Sequence, residues 1–299
     1  MTFYDDRGRI VAIQSAPRRV VSLVPSDTLT LAALGCGSAL VGRTDYCELP
    51  AELVANVPSV GGTKNPSVEK ILDLSPDLVL ANQEENTKKD LETLAQRGVR
   101  VFVAFPKRVA DGVAHIARLA RIFRVERDPD VRALCLAGYE AIRDAEAARG
   151  KSAALSTFCP IWMSPLMTIH GDTFISDMLA LAGARNVFSD RERRYPLAAD
   201  LGRGPAWTLD RVAERDVRYP RVTMEEVNAH APELVLLPDE PHPFSEADAE
   251  VFRAQPTPAA ERGAIVRTGG KDLCWYGSRS VEGLPRLRAL IDSFRQPSP

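Results

Sequence analysis

Two histidines follow apolar runs in this chain. His170-Gly171-Asp172 comes after Met167-Thr168-Ile169, and His242 comes after Leu234–Leu237 by way of Asp239-Glu240-Pro241. Two neutral imidazoles and the Asp172 carboxylate can hold Zn²⁺ or Fe²⁺ with one position left open. That set describes a metal-dependent enzyme or a metal chaperone. Other runs end in aromatic and polar side chains: Tyr46 with Glu48, Glu84-Glu85, Trp162, and Trp275-Tyr276 with Arg279. Aromatic rings with a few polar groups, gathered at the ends of buried strands, suit a large flat ligand. Glu84 and Glu85 are adjacent, so in extended chain they point apart and form no acid/base pair. Gly269-Gly270-Lys271 reads as a turn or as a small anion nest. His115 and His230 lie on helical patterns and read as packing or surface residues. No H-E-x-x-H, G-x-S-x-G, phosphate-binding loop or G-x-G-x-x-G is present.

The elements that carry these residues alternate. Val20–Val24, Leu40–Gly42, Leu78–Ala81 and Val99–Val103 are short apolar runs, as parallel strands buried on both faces should be. Between them lie helical stretches stopped by Gly35, Pro76 and Gly98. From Val109 to Arg149 there is no strand pattern. Asp128-Pro129 is an N-cap with proline at the first helical position, and the helix it opens ends near Gly150. About 20 residues at 1.5 Å each span roughly 30 Å, enough to join two lobes stiffly. Alternation then resumes with Ala154–Phe158, a helix from Thr173 to Ala182, strands at Leu234–Leu237 and Ala264–Val266, and a closing helix from Val281 to Phe294. Asp190 to Arg221 is charged and poorly periodic and reads as a surface excursion. The expected division is 1–108, an α/β lobe; 109–150, a helical segment; and 151–299, a second α/β lobe.

One stretch occurs twice. Val68–Leu80 and Met224–Leu236 align at an offset of 156 residues, with Glu, Pro and Leu-Val-Leu in common and Asp77 opposite Glu233. Both copies read helix, proline stop, buried strand. Two similar lobes are implied.

Composition narrows the classes. The 299 residues carry 38 Lys+Arg against 40 Asp+Glu, and 45% are hydrophobic. This is ordinary globular composition, not a disordered chain, and not a surface built to grip nucleic acid. No apolar run is long enough to span a bilayer. The five cysteines are odd in number and scattered, which describes idle thiols rather than a disulfide framework or a structural zinc site. No apolar leader follows Met1, so a cytoplasmic chain is expected, unless a signal lies outside this sequence.

Several motifs now combine: Pro17-Arg18-Arg19-Val20-Val21-Ser22-Leu23-Val24-Pro25-Ser26, Leu34-Gly35, Val41-Gly42, Val60-Gly61-Gly62 through Glu69-Lys70-Ile71, Pro76–Leu80, Gly98-Val99, and Asp177-Met178-Leu179 through Gly183. Together they resemble the substrate-binding proteins of ABC importers for cobalamin, ferric siderophores and haem, in particular a signal-less branch described as helical-backbone metal receptors. The resemblance covers nearly the whole chain, and Asp5–Ser15 is similar to the opening hairpin of mature members. It implies two small parallel-sheet α/β lobes bridged by one long helix, with the ligand in a cleft between them. It implies a binding protein, not an enzyme, for a large metal chelate: cobalamin or a related corrinoid first, ferric siderophore or haem second. No cofactor is required.

Tyr46 falls where the cobalamin binder has a cleft tyrosine, and Thr63 replaces a cleft tryptophan. The expected ligand residues are Tyr46, Glu84, Glu85, Trp162, His170, His242, Trp275, Tyr276 and Arg279, with an imidazole also able to ligate the chelate's metal. Glu69 and Glu225 fall where the family docks on transporter arginines. The expected partners are the chelate and an ABC-importer permease dimer, with no nucleic acid, no membrane insertion and a monomeric chain. A periplasmic or cell-surface location is the family's alternative to the cytoplasm.

Overall fold

The computed structural model of the chain describes residues 1–213 and 215–295. These form two compact units. The first comprises Met1–Pro106, Ala110–Glu140 and Trp275–Val281; the second comprises Lys107–Val109, Ala141–Cys274 and the chain from Glu282 onward.

In the first unit four parallel strands lie in the order Leu40–Arg43, Val20–Ser22, Leu78–Asn82, Val101–Ala104. The last three are buried at every position, which is why they read as unbroken apolar runs. Successive side chains take opposite faces. Leu78 and Leu80 therefore pack with Leu31, Ile116, Leu119 and Ile122 on one side. Val79 and Ala81 pack with Ile71, Leu91 and Leu94 on the other. The opening hairpin pairs Thr2–Tyr4 with Ile10–Ala12.

The second unit repeats the plan. Its parallel strands lie in the order Ala184–Asn186, Leu155–Phe158, Leu234–Pro238, Ile265–Thr268. Phe158, Val235, Leu237 and Ile265 share a core with Phe188, Phe244 and Phe252. The two copies of the repeated stretch are thus the third strand of each sheet and the helix before it, Val68–Asp73 and Met224–His230. The correspondence extends to the backbone. Ser75 and Ala231, each just before the proline, both adopt positive φ (45° and 44°). That conformation is costly for residues with a Cβ and is held here at the same point of both turns.

The helix Pro129–Ala148 opens as expected, with the Asp130 N–H donating to the Asp128 carboxylate at 2.9 Å. It belongs to the first unit as far as Glu140 and to the second from Ala141. A second helix, Ser278–Asp292, is shared in the same way, dividing after Val281. The sequence reading assigned that role to one helix only.

From Asp190 to Arg221 most residues are exposed or half-buried, as a surface excursion should be, yet the segment is built. The segment holds two short helices, Leu197–Asp200 and Leu209–Val212. It is organised around buried Asp200, which accepts from Arg191 Nη1 at 3.1 Å, the Arg194 N–H at 2.9 Å and the Arg221 N–H at 2.8 Å. Met167 bridges Arg221, and the His170 N–H donates to the Arg218 carbonyl at 2.8 Å. The order comes from polar bonds over long sequence distances, which leave no periodic pattern. None of the five cysteines forms a disulfide among the described residues. Burial raises the thiols of Cys36, Cys47 and Cys135 and pushes Cys159 up to about 12, so they are poor nucleophiles.

Candidate functional site

In a parallel sheet whose second strand lies outside the first, the connections diverge between strands one and three. Ligands bind beyond the carboxyl ends there. Both sheets have this order, so each offers one such point.

In the first unit that point is laced by two asparagines. The Asn82 N–H donates to Asn86 Oδ1 at 2.8 Å, and Asn86 Nδ2 donates to the carbonyls of Leu23 (3.2 Å) and Thr63 (3.0 Å). Asn82 Oδ1 accepts from the N–H groups of Glu84 (2.7 Å) and Glu85 (3.3 Å). Glu84 and Glu85 are therefore held, half-buried, just past the third strand. Tyr46 follows the second strand and is 63% exposed. A Cβ on Gly62 would lie 3.6 Å from its ring. Tyr46 thus presents apolar surface beside the strand ends.

Trp275 and Tyr276 do not. They pack into the first unit, 5% and 3% exposed, and offer no open stacking face. Tyr276 meets the His115 ring edge-on at 5.6 Å. His115 Nε2 lies 2.8 Å from Asp27 Oδ1, and His115 Nδ1 lies 2.9 Å from Arg118 Nη2. Arg118 in turn makes a forked pair with Asp6 at 2.6 and 3.0 Å. Because arginine can only donate, Nδ1 accepts and Nε2 carries the proton toward Asp27. Burial raises the Tyr276 hydroxyl well above the usual phenol range, and the negative charges of Asp27 and Glu85 add to this. Burial opposes ionisation of Asp6, yet the Arg118 fork outweighs it and holds that carboxyl below its usual value. This Asp27–His115–Arg118–Asp6 row escaped the sequence reading. Its one signal is a histidine on the apolar face of the helix Val109–Phe123. Arg279, half-buried, lies in the same Trp275–Val281 return to the first unit.

In the second unit Trp162 opens a small hairpin, Trp162–Met163 with Leu166–Met167. Its Nε1 donates to the Ser164 carbonyl at 3.0 Å and it is 43% exposed. Its ring lies 5.2 Å from that of His242, which contacts Phe244 at 4.6 Å. His242 Nε2 is 3.8 Å from Asp248. Trp162 and His242, far apart in sequence, are thus brought together. His170 is elsewhere, its Nδ1 accepting the Asp172 N–H at 3.0 Å. It lines a cavity of about 490 Å³ with Arg191, Arg193, Arg194, Tyr195 and Trp207, none of which the sequence reading singled out.

The metal set does not assemble. Asp172 is paired with Lys107 at 2.5 Å, and His242 is packed against Trp162 and Phe244. Among the described residues no group of three or more His, Cys, Asp and Glu is placed to hold a metal ion. Nor is Gly269-Gly270-Lys271 a nest for an outside anion. The Gly270 N–H donates to Asp239 Oδ1 at 2.5 Å and Lys271 pairs with Glu240 at 2.7 Å. Gly270 itself is required because a Cβ there would come within 2.7 Å of the Glu240 backbone. Glu69 and Glu225 are exposed in the first turns of the matching helices, capped by Ser67 and Thr223. Carboxylates are favourable at that end of a helix. Glu69 lies 3.7 Å from Arg97, and backbone hydrogen bonding lowers the Glu225 carboxyl.

Comparison with known proteins places the chain. It is 26% identical over 230 residues to a vitamin B12-binding protein of Photorhabdus laumondii, covering 76% of this chain and 72% of that one. It is 30% identical over 182 residues to a vitamin B12-binding protein of Yersinia pestis, covering 60% of this chain and 64% of that one, so less than two thirds of the latter's length is spanned. Its fold matches the periplasmic vitamin B12-binding protein BtuF of Vibrio cholerae, with a TM-score of 0.73, 19% identity, and 94% of this chain and 99% of that one covered. It also matches the periplasmic haem-binding protein RhuT of a Roseiflexus species, with a TM-score of 0.74, 19% identity, and coverage of 94% and 100%. No helix of the described residues is long and apolar enough to cross a membrane. The expectation of a cytoplasmic chain finds no support among these relatives, of which the two solved proteins are periplasmic. A family of solute-binding proteins, not of enzymes, matches residues 20–268, and the chain belongs to that periplasmic binding protein family.

Proposed function

We propose that this chain binds a large metal chelate, cobalamin or a related corrinoid first, and hands it to an ABC importer. The observation that carries the ligand is the match to vitamin B12-binding proteins over 230 residues. The geometry supports it with one exposed ring beside the strand ends of each unit, Tyr46 and Trp162. Glu84 and Glu85, just past the third strand of the first unit, and His242, beside Trp162, supply polar groups. Trp275 and Tyr276 support the ligand from within the first unit, not by stacking on it. Haem or a ferric siderophore is the second reading, favoured by fold neighbours titled as haem-binding and Fe³⁺-hydroxamate transport proteins. The chain works outside the cytoplasmic membrane, and Glu69 and Glu225 meet the permease.

Titration with cyanocobalamin, haem and a ferric hydroxamate, followed by tryptophan fluorescence and calorimetry, tests the reading. Saturable binding of cyanocobalamin is expected. Trp162→Ala should weaken it by about 30-fold, the cost of a central aromatic contact of about 2 kcal/mol. Haem or hydroxamate binding with no cobalamin response would move the assignment to the second reading. No response to any of the three at about 100 μM, equivalent to roughly −5.5 kcal/mol, would sink both.

A further inference from the structure

The segment Asp190–Arg221 contains eight arginines and no lysine. Its rings Tyr195 and Trp207 stack with centroids 6.0 Å apart and planes 15° from parallel. They are fixed in place, since the Tyr195 hydroxyl donates to the Asp216 carbonyl at 2.8 Å and the Trp207 N–H donates to the Tyr195 carbonyl at 2.7 Å. Guanidinium groups cover this stack. Arg193 lies 4.4 Å from the Tyr195 centroid, Arg211 lies 4.0 Å from that of Trp207, and Arg215 lies about 5 Å from both.

Two acids, Asp190 and Glu192, line the cavity beside the arginines, and the acids around it are engaged. Asp200 is held by Arg191 and by backbone N–H groups, and Asp216 by the Arg218 fork at 2.9 and 2.5 Å. Among the described residues Arg193, Arg194, Arg211 and Arg215 form no ion pair with a carboxylate. A guanidinium lying on a ring keeps the N–H groups of its edge free, and that fork fits a carboxylate or a phosphate. Positive charge crowds here: Arg221 is lowered by burial and then by Arg193.

We propose that the cavity of about 490 Å³ lined by Arg193, Arg194, Tyr195, Trp207 and His170 is an oxyanion site, built to take a carboxylate or phosphate group carried on a small organic molecule. The site lies wholly within the second unit and stands apart from the chelate reading.

Calorimetric titration with citrate and with pyrophosphate at fixed ionic strength, alongside tryptophan fluorescence, tests it. Saturable binding of at least one anion below about 1 mM is expected. A response to citrate alone assigns carboxylate, and to pyrophosphate alone phosphate. The double variant Arg193→Gln/Arg194→Gln should weaken binding at least about tenfold, and Arg193→Lys, which keeps the charge but not the fork, should fall between. Trp207→Phe should abolish the fluorescence signal and keep most of the heat. If the double variant loses its circular dichroism, Arg215→Gln replaces it, with about a threefold loss expected. No saturable binding of either anion up to about 10 mM, or unchanged affinity in the folded arginine variants, would overturn the proposal. Anion binding without any chelate binding would leave this site standing and remove the function proposed above.

Discussion

In the first unit the third strand starts at Leu78 and is tied to the first by Asp77. Its N–H donates to the Arg19 carbonyl at 2.9 Å, and its carboxylate accepts from the N–H groups of Arg18 (2.8 Å) and Arg19 (3.2 Å). In the second unit Glu233 does the same before Leu234. Its N–H donates to the Ser156 carbonyl at 2.8 Å, and its carboxylate accepts from the Ser156 N–H (2.9 Å) and hydroxyl (2.8 Å). The repeated acid is therefore structural in both units. What differs is the connection between the second and third strands, 44–77 in one unit and 187–233 in the other. The shorter one leads to strand ends ordered by Asn82 and Asn86, with Tyr46 exposed beside them. The longer one adds an arginine- and aromatic-lined cavity. Strand order and staples give the two sheets one frame, while the connections decide the chemistry each can do.

The largest expected effect breaks the buried row of the first unit. His115 and Asp27 are both fully buried, with side chains 0% and 1% exposed. Removing His115 strands the Asp27 carboxylate and takes one acceptor from Arg118, which keeps Asp6. His115→Ala should cost about 3–5 kcal/mol in urea unfolding, as the loss of one partner of a buried pair does. A cost under about 1 kcal/mol would mean that the row contributes little to holding this unit folded.

The equivalence of the two frames can be sharpened by matched truncations. Leu80 and Leu236 occupy the same position of the repeat and are both fully buried. Leu80→Ala and Leu236→Ala should each cost about 2–5 kcal/mol, and by similar amounts. Two unfolding transitions, each shifted by only one variant, would show the units to be separately stable. A large inequality would show that one sheet relaxes around the cavity and the other does not.

The central strands of both sheets were legible in the sequence because burial on both faces writes them as apolar runs, whereas the edge strand Ala184–Asn186, with Arg185 exposed between its buried ends, was missed. The repeat was legible because identical side chains recur at one offset. The excursion after Asp190 was not, since Asp200, Arg191 and Arg221 order it through polar bonds that leave no period. Trp275 and Tyr276 were correctly placed after the last strand, but nothing local says that the chain there returns to the first unit and buries them. The proximity of Trp162 to His242 rests on a hairpin of only four paired residues, too short to be read from pattern. His242 follows the third strand of its sheet as expected, but His170 follows no strand of the parallel sheet, only the small hairpin strand Leu166–Met167, so the two side chains do not share a sheet edge.

A smaller effect tests the staples. Hydrogen bonding from the Ser156 N–H, against the opposing effect of burial, lowers the Glu233 carboxyl below its ordinary 4.5. A carboxyl lowered in the folded state contributes stability above its unfolded pKa, and that contribution is lost as pH falls through the folded value. Wild-type stability should therefore decline as pH drops below about 4.5. Glu233→Gln should be less stable at pH 7 and should lose less on acidification. Parallel pH curves for the two proteins would remove the carboxylate from the account. Because the side chain is partly exposed, the effect is screened and modest.

The smallest effect on stability distinguishes a helix-end carboxylate from a docking group. Glu69 and Glu225 are exposed at matching positions of the two repeats, and a favourable helix end explains a carboxylate at either without any partner. Reversing the charge should cost each helix little and should leave chelate affinity unchanged. If the two residues meet a permease, the same reversals should oppose association through like-charge repulsion, and the double variant Glu69→Arg/Glu225→Arg should fail to stimulate the transporter in reconstituted vesicles. Each single variant should retain part of the coupling, because one unit would still dock. Full stimulation by the double variant would leave both glutamates as helix-end charges that the repeat preserves for local reasons alone.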